Sequence, residues 1–269
     1  MGVKRLAMIC GIAAALFTGR AHAVELCAAI DGSGSVIFTE GAFALQLEGL
    51  AAAVEDNTII PPTGDVSIAV VLFGATAETA VPLTSVDSPA AAASLAADIR
   101  GITPRNDFAF WHLTNMAAAV DACAALFENP LEDWVIDIST DGRHNVSSAD
   151  PLAARDTAVL FGLDALNAIG VAAADGAFLE GLVWPQPVAA PPEDGFVILV
   201  GSFVEYVDAM ALKMRSEVTT AVHVDIKPGS CPNSFNPGDG GVLPVAIAGG
   251  AVDVALIDPA SIMLEGVAP

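Results

Sequence analysis

Short Val- and Ile-rich runs alternate with helical stretches from residue 26 to residue 218, and this alternation restricts the fold more than any other feature. Parallel strands cannot be joined by tight hairpins, so strand–helix alternation predicts a mainly parallel sheet with helices on both faces. Residues 26–30 and 66–73 read as buried strands, 134–139, 165–171 and 196–200 as further strands, and 77–83, with Pro82, as an edge strand. Helical spacing runs through Phe43, Leu47, Leu50 and Val54, and through Met116, Val120, Cys123 and Phe127, the latter ended by Asn129-Pro130. Ser88 and Pro89 open an alanine-rich helix to Ile99, Asp150-Pro151 opens another to about residue 161, and a short helix covers 178–183. A last helix spans 203–218, with apolar Val207, Met210, Leu212 and Met214. Irregular segments are expected at 61–65, 103–111 and the proline-rich 184–194.

The chain divides into three parts. Lys4 and Arg5, an apolar stretch from Leu6 to Phe17, and Ala21-His22-Ala23 have the order of a secretory signal peptide cleaved after Ala23. Residues 24–218 form the α/β domain. Beyond 219 the chain is rich in Gly, Pro and Asn with no helical period, so 219–269 reads as a small, incomplete β-rich segment. The expected address is secreted, periplasmic or cell-surface, with no transmembrane segment in the mature chain. Lys4, Arg5 and Arg20 are the only formal charges in the leader, so cleavage would make the chain's −22 three units more negative. Such a field repels nucleic acid and favours divalent cations. Three cysteines would remain, Cys27, Cys123 and Cys231, and export permits a disulfide among them.

The chemistry is concentrated where the first strand ends, at Asp31-Gly32-Ser33-Gly34-Ser35. One carboxylate and two hydroxyls on a tight turn are oxygen donors suited to a hard divalent cation, Mg²⁺, Mn²⁺ or Ca²⁺. Thr140-Asp141-Gly142 ends another strand, and Thr114 opens the helix between them. In open parallel sheets, sites form beyond the carboxyl ends of strands where chain order reverses. If those two strands are neighbours there, the groups share one crevice.

This pattern resembles the von Willebrand factor A domain and its metal-ion-dependent adhesion site. Residues 48–53, 134–142, 167–171 and 183–187 further resemble a bacterial exported branch of that family with no established biochemical role. The resemblance implies a doubly wound, Rossmann-like sheet. It implies that Ser33 and Ser35 bind the metal directly, that Asp31 and Asp141 hold it directly or through water, and that Thr114 alternates between the two. One open coordination position would accept a carboxylate from a protein partner, a binding scheme with no catalytic base. It also implies a Cys27–Cys123 disulfide. Where the family usually has a glycine-rich loop, this chain has Phe110-Trp111-His112-Leu113, so Trp111 and His112 are candidate ligand-rim residues, and His144, after Asp141-Gly142-Arg143, is a third at the same rim.

Two other functions compete with cation-dependent binding. A structural matrix or surface protein with a vestigial metal site would account for the bulky Trp111-His112 loop. A Mg²⁺-dependent phosphoryl hydrolase would want a second acid two residues after Asp31, where Ser33 stands, and no Gly-Lys-Ser/Thr phosphate loop occurs. In the C-terminal segment, 224–233, 241–247 and 257–259 resemble a recurring module of bacterial secreted proteins, and Asp225, Asp239 and Asp253 are weak Ca²⁺ candidates.

Overall fold

The computed structural model describes residues 23–186, 195–218, 223–226 and 245–248. The expected leader up to residue 22, residues 187–194 of the expected proline-rich segment, and Cys10, Cys231, Asp239 and Asp253 lie outside the described residues. Residues 22–219 form one compact unit. Its sheet has six strands: β1 (Val24–Asp31), β2 (Val66–Phe73), β3 (Ala77–Ser85), β4 (Asp133–Thr140), β5 (Leu163–Val171) and β6 (Val197–Val200). Their spatial order is β3-β2-β1-β4-β5-β6, parallel throughout except for β3, which returns antiparallel along the β2 edge. The chain winds outward from β1 to β3, then crosses to β4 and winds the other way. The reversal therefore falls between β1 and β4, the strands that end in Asp31 and Thr140-Asp141.

Every residue of β1 is buried, as expected of a central strand covered on both faces. Alternate side chains serve two separate cores. Leu26, Ala28 and Ile30, with Ile68, Val70 and Leu72, pack under α2 (Ala42–Glu55), α3 (Pro89–Arg100) and α8 (Phe203–Val218). Cys27 and Ala29, with Val71, Phe73, Ile136 and Ile138, pack under α5 (Met116–Ala124), α6 (Pro151–Leu160) and α7 (Gly176–Leu182). A Cys27–Cys123 disulfide crosses the second core, joining β1 to α5 with Cα atoms 5.5 Å apart. A separate antiparallel pair, β7 (His223–Ile226) and β8 (Val245–Ala248), belongs to the second unit.

Several local expectations need correction. Two single-turn helices, α1 (Gly34–Ile37) and α4 (Phe108–Trp111), occupy stretches read as turn and irregular loop. The Asp107 carboxylate nucleates the second by accepting from Phe110 N at 2.9 Å. The stripe through Phe127 outruns its helix, which ends at Ala124; Phe127 stacks instead on Trp134, with ring centroids 5.2 Å apart. On α8 the buried side is Phe203, Tyr206, Met210, Lys213 and Met214, whereas Leu212 is exposed. The apolar residues Val207, Met210, Leu212 and Met214 do not share a single helical face, and hydropathy gives no reason to place a lysine inside.

Candidate metal centre

The turn after β1 is held from below. Asp31 is fully buried, and its backbone carbonyl accepts from Gln46 Nε2 on α2 at 3.1 Å. Its Oδ1 accepts from Ser33 N at 2.7 Å, closing the turn, and its Oδ2 accepts from Thr140 Oγ1 at 2.6 Å, linking the ends of the two central strands. Thr140 Oγ1 in turn accepts from Gly142 N at 3.1 Å. The Asp31 carboxylate is thus fixed by hydroxyl and amide donors from both sides of the chain reversal.

The remaining groups gather around this anchor. Ser33 Oγ and Ser35 Oγ lie 3.2 Å apart, and Ser35 Oγ donates to Asp141 Oδ1 at 2.6 Å. A methyl group added to Gly142 would lie 3.5 Å from Thr114 Oγ1 and 3.9 Å from Ser35 Oγ, so both hydroxyls border the same glycine. Burial is graded: Asp31, Ser33 and Thr114 are buried, Asp141 is half-buried and Ser35 is exposed. The crevice therefore opens to solvent on the Ser35 side.

Thr114 is positioned by contacts that the sequence did not suggest. Its backbone N–H donates to Asn145 Oδ1 at 2.8 Å, and Asn145 N–H donates back to Thr114 O at 3.1 Å. His144 adds a third tie. Its Nδ1 accepts from Met116 N at 3.2 Å, and its Nε2 lies 2.9 Å from both Val146 O and Ala149 O, an arrangement that a neutral Nε2–H tautomer satisfies. In this arrangement His144 holds the 142–149 loop against the start of α5. Nothing in the sequence marks Asn145 for this role, and Thr140 enters the sequence pattern only as the neighbour of Asp141.

The bulky loop forms one wall of the crevice. Trp111 is half-buried, and a Cβ on Gly34 would come within 3.0 Å of its Cε3. Its ring meets Phe38 edge-on at 4.9 Å and Phe108 at 5.1 Å, while exposed His112 stacks on Phe108 at 4.6 Å. Gly74 makes the loop's seat possible: Ala75 N donates to Phe110 O at 2.6 Å, and a Cβ on Gly74 would fall 2.3 Å from that carbonyl.

Burial pushes the Asp31 carboxyl up to about 6, the Ser33 and Thr140 donors offsetting only part of the lost hydration and the Asp141 charge adding to the rise. Burial also raises Asp141, partly offset by the Ser35 hydroxyl. No ion pair among the described residues involves either carboxylate. Two carboxylates and three hydroxyls facing one crevice without a basic partner make an all-oxygen, negatively charged donor set, which fits a hard divalent ion. Among the described residues no three His, Cys, Asp or Glu side chains cluster as metal ligands, so hydroxyls would have to complete any coordination here.

Comparison with solved structures shows the fold. The zinc-occupied form of proximal thread matrix protein 1 from the mussel byssus superposes with a TM-score of 0.60 at 16% identity, over 77% of this chain and 50% of that one. A von Willebrand factor type A protein from Catenulispora acidiphila gives 0.53 at 17%, over 77% and 45%. The manganese-loaded TRAP protein of Plasmodium vivax gives 0.52 at 19%, over 73% and 74%. The chain spans about half the length of the first two. In the mussel protein the zinc lies in its MIDAS motif. No curated protein matches the chain. The α/β unit has the von Willebrand factor A fold, and the profile described as "Protein of unknown function (DUF1194)" matches residues 21–222, so the chain belongs to that family.

Proposed function

We propose that residues 24–218 form an exported, divalent-cation-dependent protein-binding module of the adhesion type. One observation carries this: Asp31, Ser33, Ser35, Thr114 and Asp141, from three distant segments, border a single crevice at the chain reversal with oxygen donors only. Ser33, Ser35 and Thr114 would hold the ion through their hydroxyls, and Asp141 and Asp31 directly or through water. Mg²⁺, Mn²⁺ or Ca²⁺ bound there supplies a positive centre for an incoming carboxylate of a protein partner. Thr140 and the Ser33 amide fix the Asp31 carboxylate, and Asn145 fixes Thr114, so the donors are oriented before an ion arrives. Solvent access beside Ser35 leaves room for a partner on that side, with Trp111 and His112 on the neighbouring wall.

Export is supported by the leader pattern and by a disulfide, which persists in oxidising compartments. Among the described residues no helix is long and apolar enough to cross a membrane. A matrix role with an idle metal site draws support from Trp111 packed against Gly34. Calorimetric titration with Mg²⁺, Mn²⁺ and Ca²⁺ distinguishes the two. Saturable binding abolished in Asp31→Ala and Asp141→Ala is the expected result. Absence of binding at millimolar metal in the folded wild type would leave only the matrix role.

A further inference from the structure

Beneath α8, on the side of the sheet away from α5, lies a charged cluster that the metal centre does not use. Lys213 and Asp137 each expose 1% of their side chains and Glu217 exposes 3%. Lys213 Nζ contacts Asp137 Oδ1 and donates to Glu217 Oε1 at 2.6 Å. Asn167 Nδ2 donates to the same Glu217 oxygen at 2.7 Å, and the Phe196 ring lies 5.7 Å from Nζ. The contact with Asp137 is an ion pair and not a hydrogen bond: both Asp137 oxygens are buried without a hydrogen-bond partner, as is Glu217 Oε2.

As an ionic cluster this arrangement is unfavourable. One lysine faces two carboxylates in a site with almost no solvent, and three carboxylate oxygens accept no hydrogen bond, Asp137 Oδ1 meeting Lys213 only as an ion pair. Buried charges are ordinarily paired and fully hydrogen-bonded. Condensation would remove the Asp137 part of this mismatch, because the amide carries no charge and has fewer lone pairs to satisfy than the carboxylate it replaces. The components of that reaction are in contact: an amine against a carboxyl group, with a second carboxyl one helical turn away, hydrogen-bonded to the amine. We propose that Lys213 and Asp137 form an intramolecular amide bond, with Glu217 as the proton carrier.

The step balances without a co-reactant. Glu217 takes a proton from the Lys213 ammonium, and the free amine attacks Asp137 Cγ to form the Nζ–Cγ bond. Protons returned through Glu217 let one Asp137 oxygen depart as water, breaking its bond to Cγ. In sum, an ammonium and a carboxylate become an amide and one water, and Glu217 ends as it began. Burial works in the required direction at both residues: it lowers the Lys213 ammonium towards the nucleophilic amine and raises Glu217 towards the acid that protonates the leaving oxygen. The product would fasten α8, the last helix of the domain, to β4, the strand that leads into Thr140 and Asp141.

Mass spectrometry of the exported full chain after disulfide reduction tests this. The wild type is expected one water lighter than its sequence, and trypsin should release the fragment 106–143 joined to 156–215, since an acylated Lys213 resists cleavage. K213R, D137A and E217Q should each have the full sequence mass. A wild type of full mass, or a lost water that maps to any other residue pair, overturns the proposal, whether or not the variants fold.

Discussion

Thr140→Val removes one hydroxyl at the junction of the two central strands and nearly preserves side-chain volume. Thr140 Oγ1 donates to buried Asp31 Oδ2 at 2.6 Å and accepts from Gly142 N at 3.1 Å. A hydrogen bond to an ionised, buried carboxylate contributes about 1.5–3 kcal/mol, and a half-buried amide left without an acceptor costs about 1 kcal/mol more. The expected loss at neutral pH is therefore about 2–4 kcal/mol, which is large for one atom. The loss should depend on pH in a defined sense. The Asp31 carboxyl is raised from 3.8 to about 6, so its contribution to stability is fullest below the lower value and is lost as pH rises through the upper one. The Thr140 hydroxyl restrains that rise, so its removal should lift Asp31 further and hurt most where the group must ionise. Urea unfolding in the presence of a chelator, at about pH 7.5 and about pH 5, measures both terms; the difference between variant and wild type should shrink by about 1 kcal/mol or more at the lower pH. Thr140→Ser, which keeps the hydroxyl, should show no pH-dependent difference from the wild type. A Thr140→Val loss that is constant with pH, or greater in acid, would refute the assignment of this hydroxyl to the ionised Asp31.

Other outcomes follow from the same contacts. Replacing both Cys27 and Cys123 with alanine opens a cross-link of sequence separation 96, and the loop-entropy model places the loss at about 4–5 kcal/mol, measurable as a lowered urea midpoint. Gly74→Ala puts a methyl group on the Phe110 carbonyl, so the loop must move; weaker Mn²⁺ binding in a chain that still folds by circular dichroism is the expected result. Mn²⁺ at about a hundredfold its dissociation constant should stabilise the wild type by about 2.7 kcal/mol, and by less at about pH 5, where protons compete for Asp31. Ser88→Ala removes the cap that accepts from Ala91 N at 3.1 Å and should lower stability by about 1 kcal/mol in thermal unfolding without changing metal affinity.

The fold was legible because its four central strands are mostly buried and its helices carry local start signals. Val66–Phe73 needs no tertiary knowledge to be read as a strand, and Ser88 and Asp150 cap their helices through their own side chains as the sequence suggests. The short α1 and α4 escaped because a single turn has no period to detect. At the site, Asp31, Ser33 and Ser35 were legible as a turn, but their partners were not. Thr140 meets Asp31 across 109 residues and Asn145 meets Thr114 across 31, distances that only the sheet order closes. The Lys213–Asp137–Glu217 cluster was hidden for another reason: charged residues are expected at the surface, yet Lys213 is buried while its apolar neighbour Leu212 is exposed.

Anomalous scattering from crystals grown with Mn²⁺ tests the central claim most directly. The account predicts one metal peak at the end of β1 and β4, with Ser33 Oγ and Ser35 Oγ at about 2.0–2.6 Å and Thr114 and Asp141 in its first or water-bridged shell. A stoichiometric Mn²⁺ elsewhere on the protein, with Ser33, Ser35 and Asp141 still bonded only to one another, would contradict it.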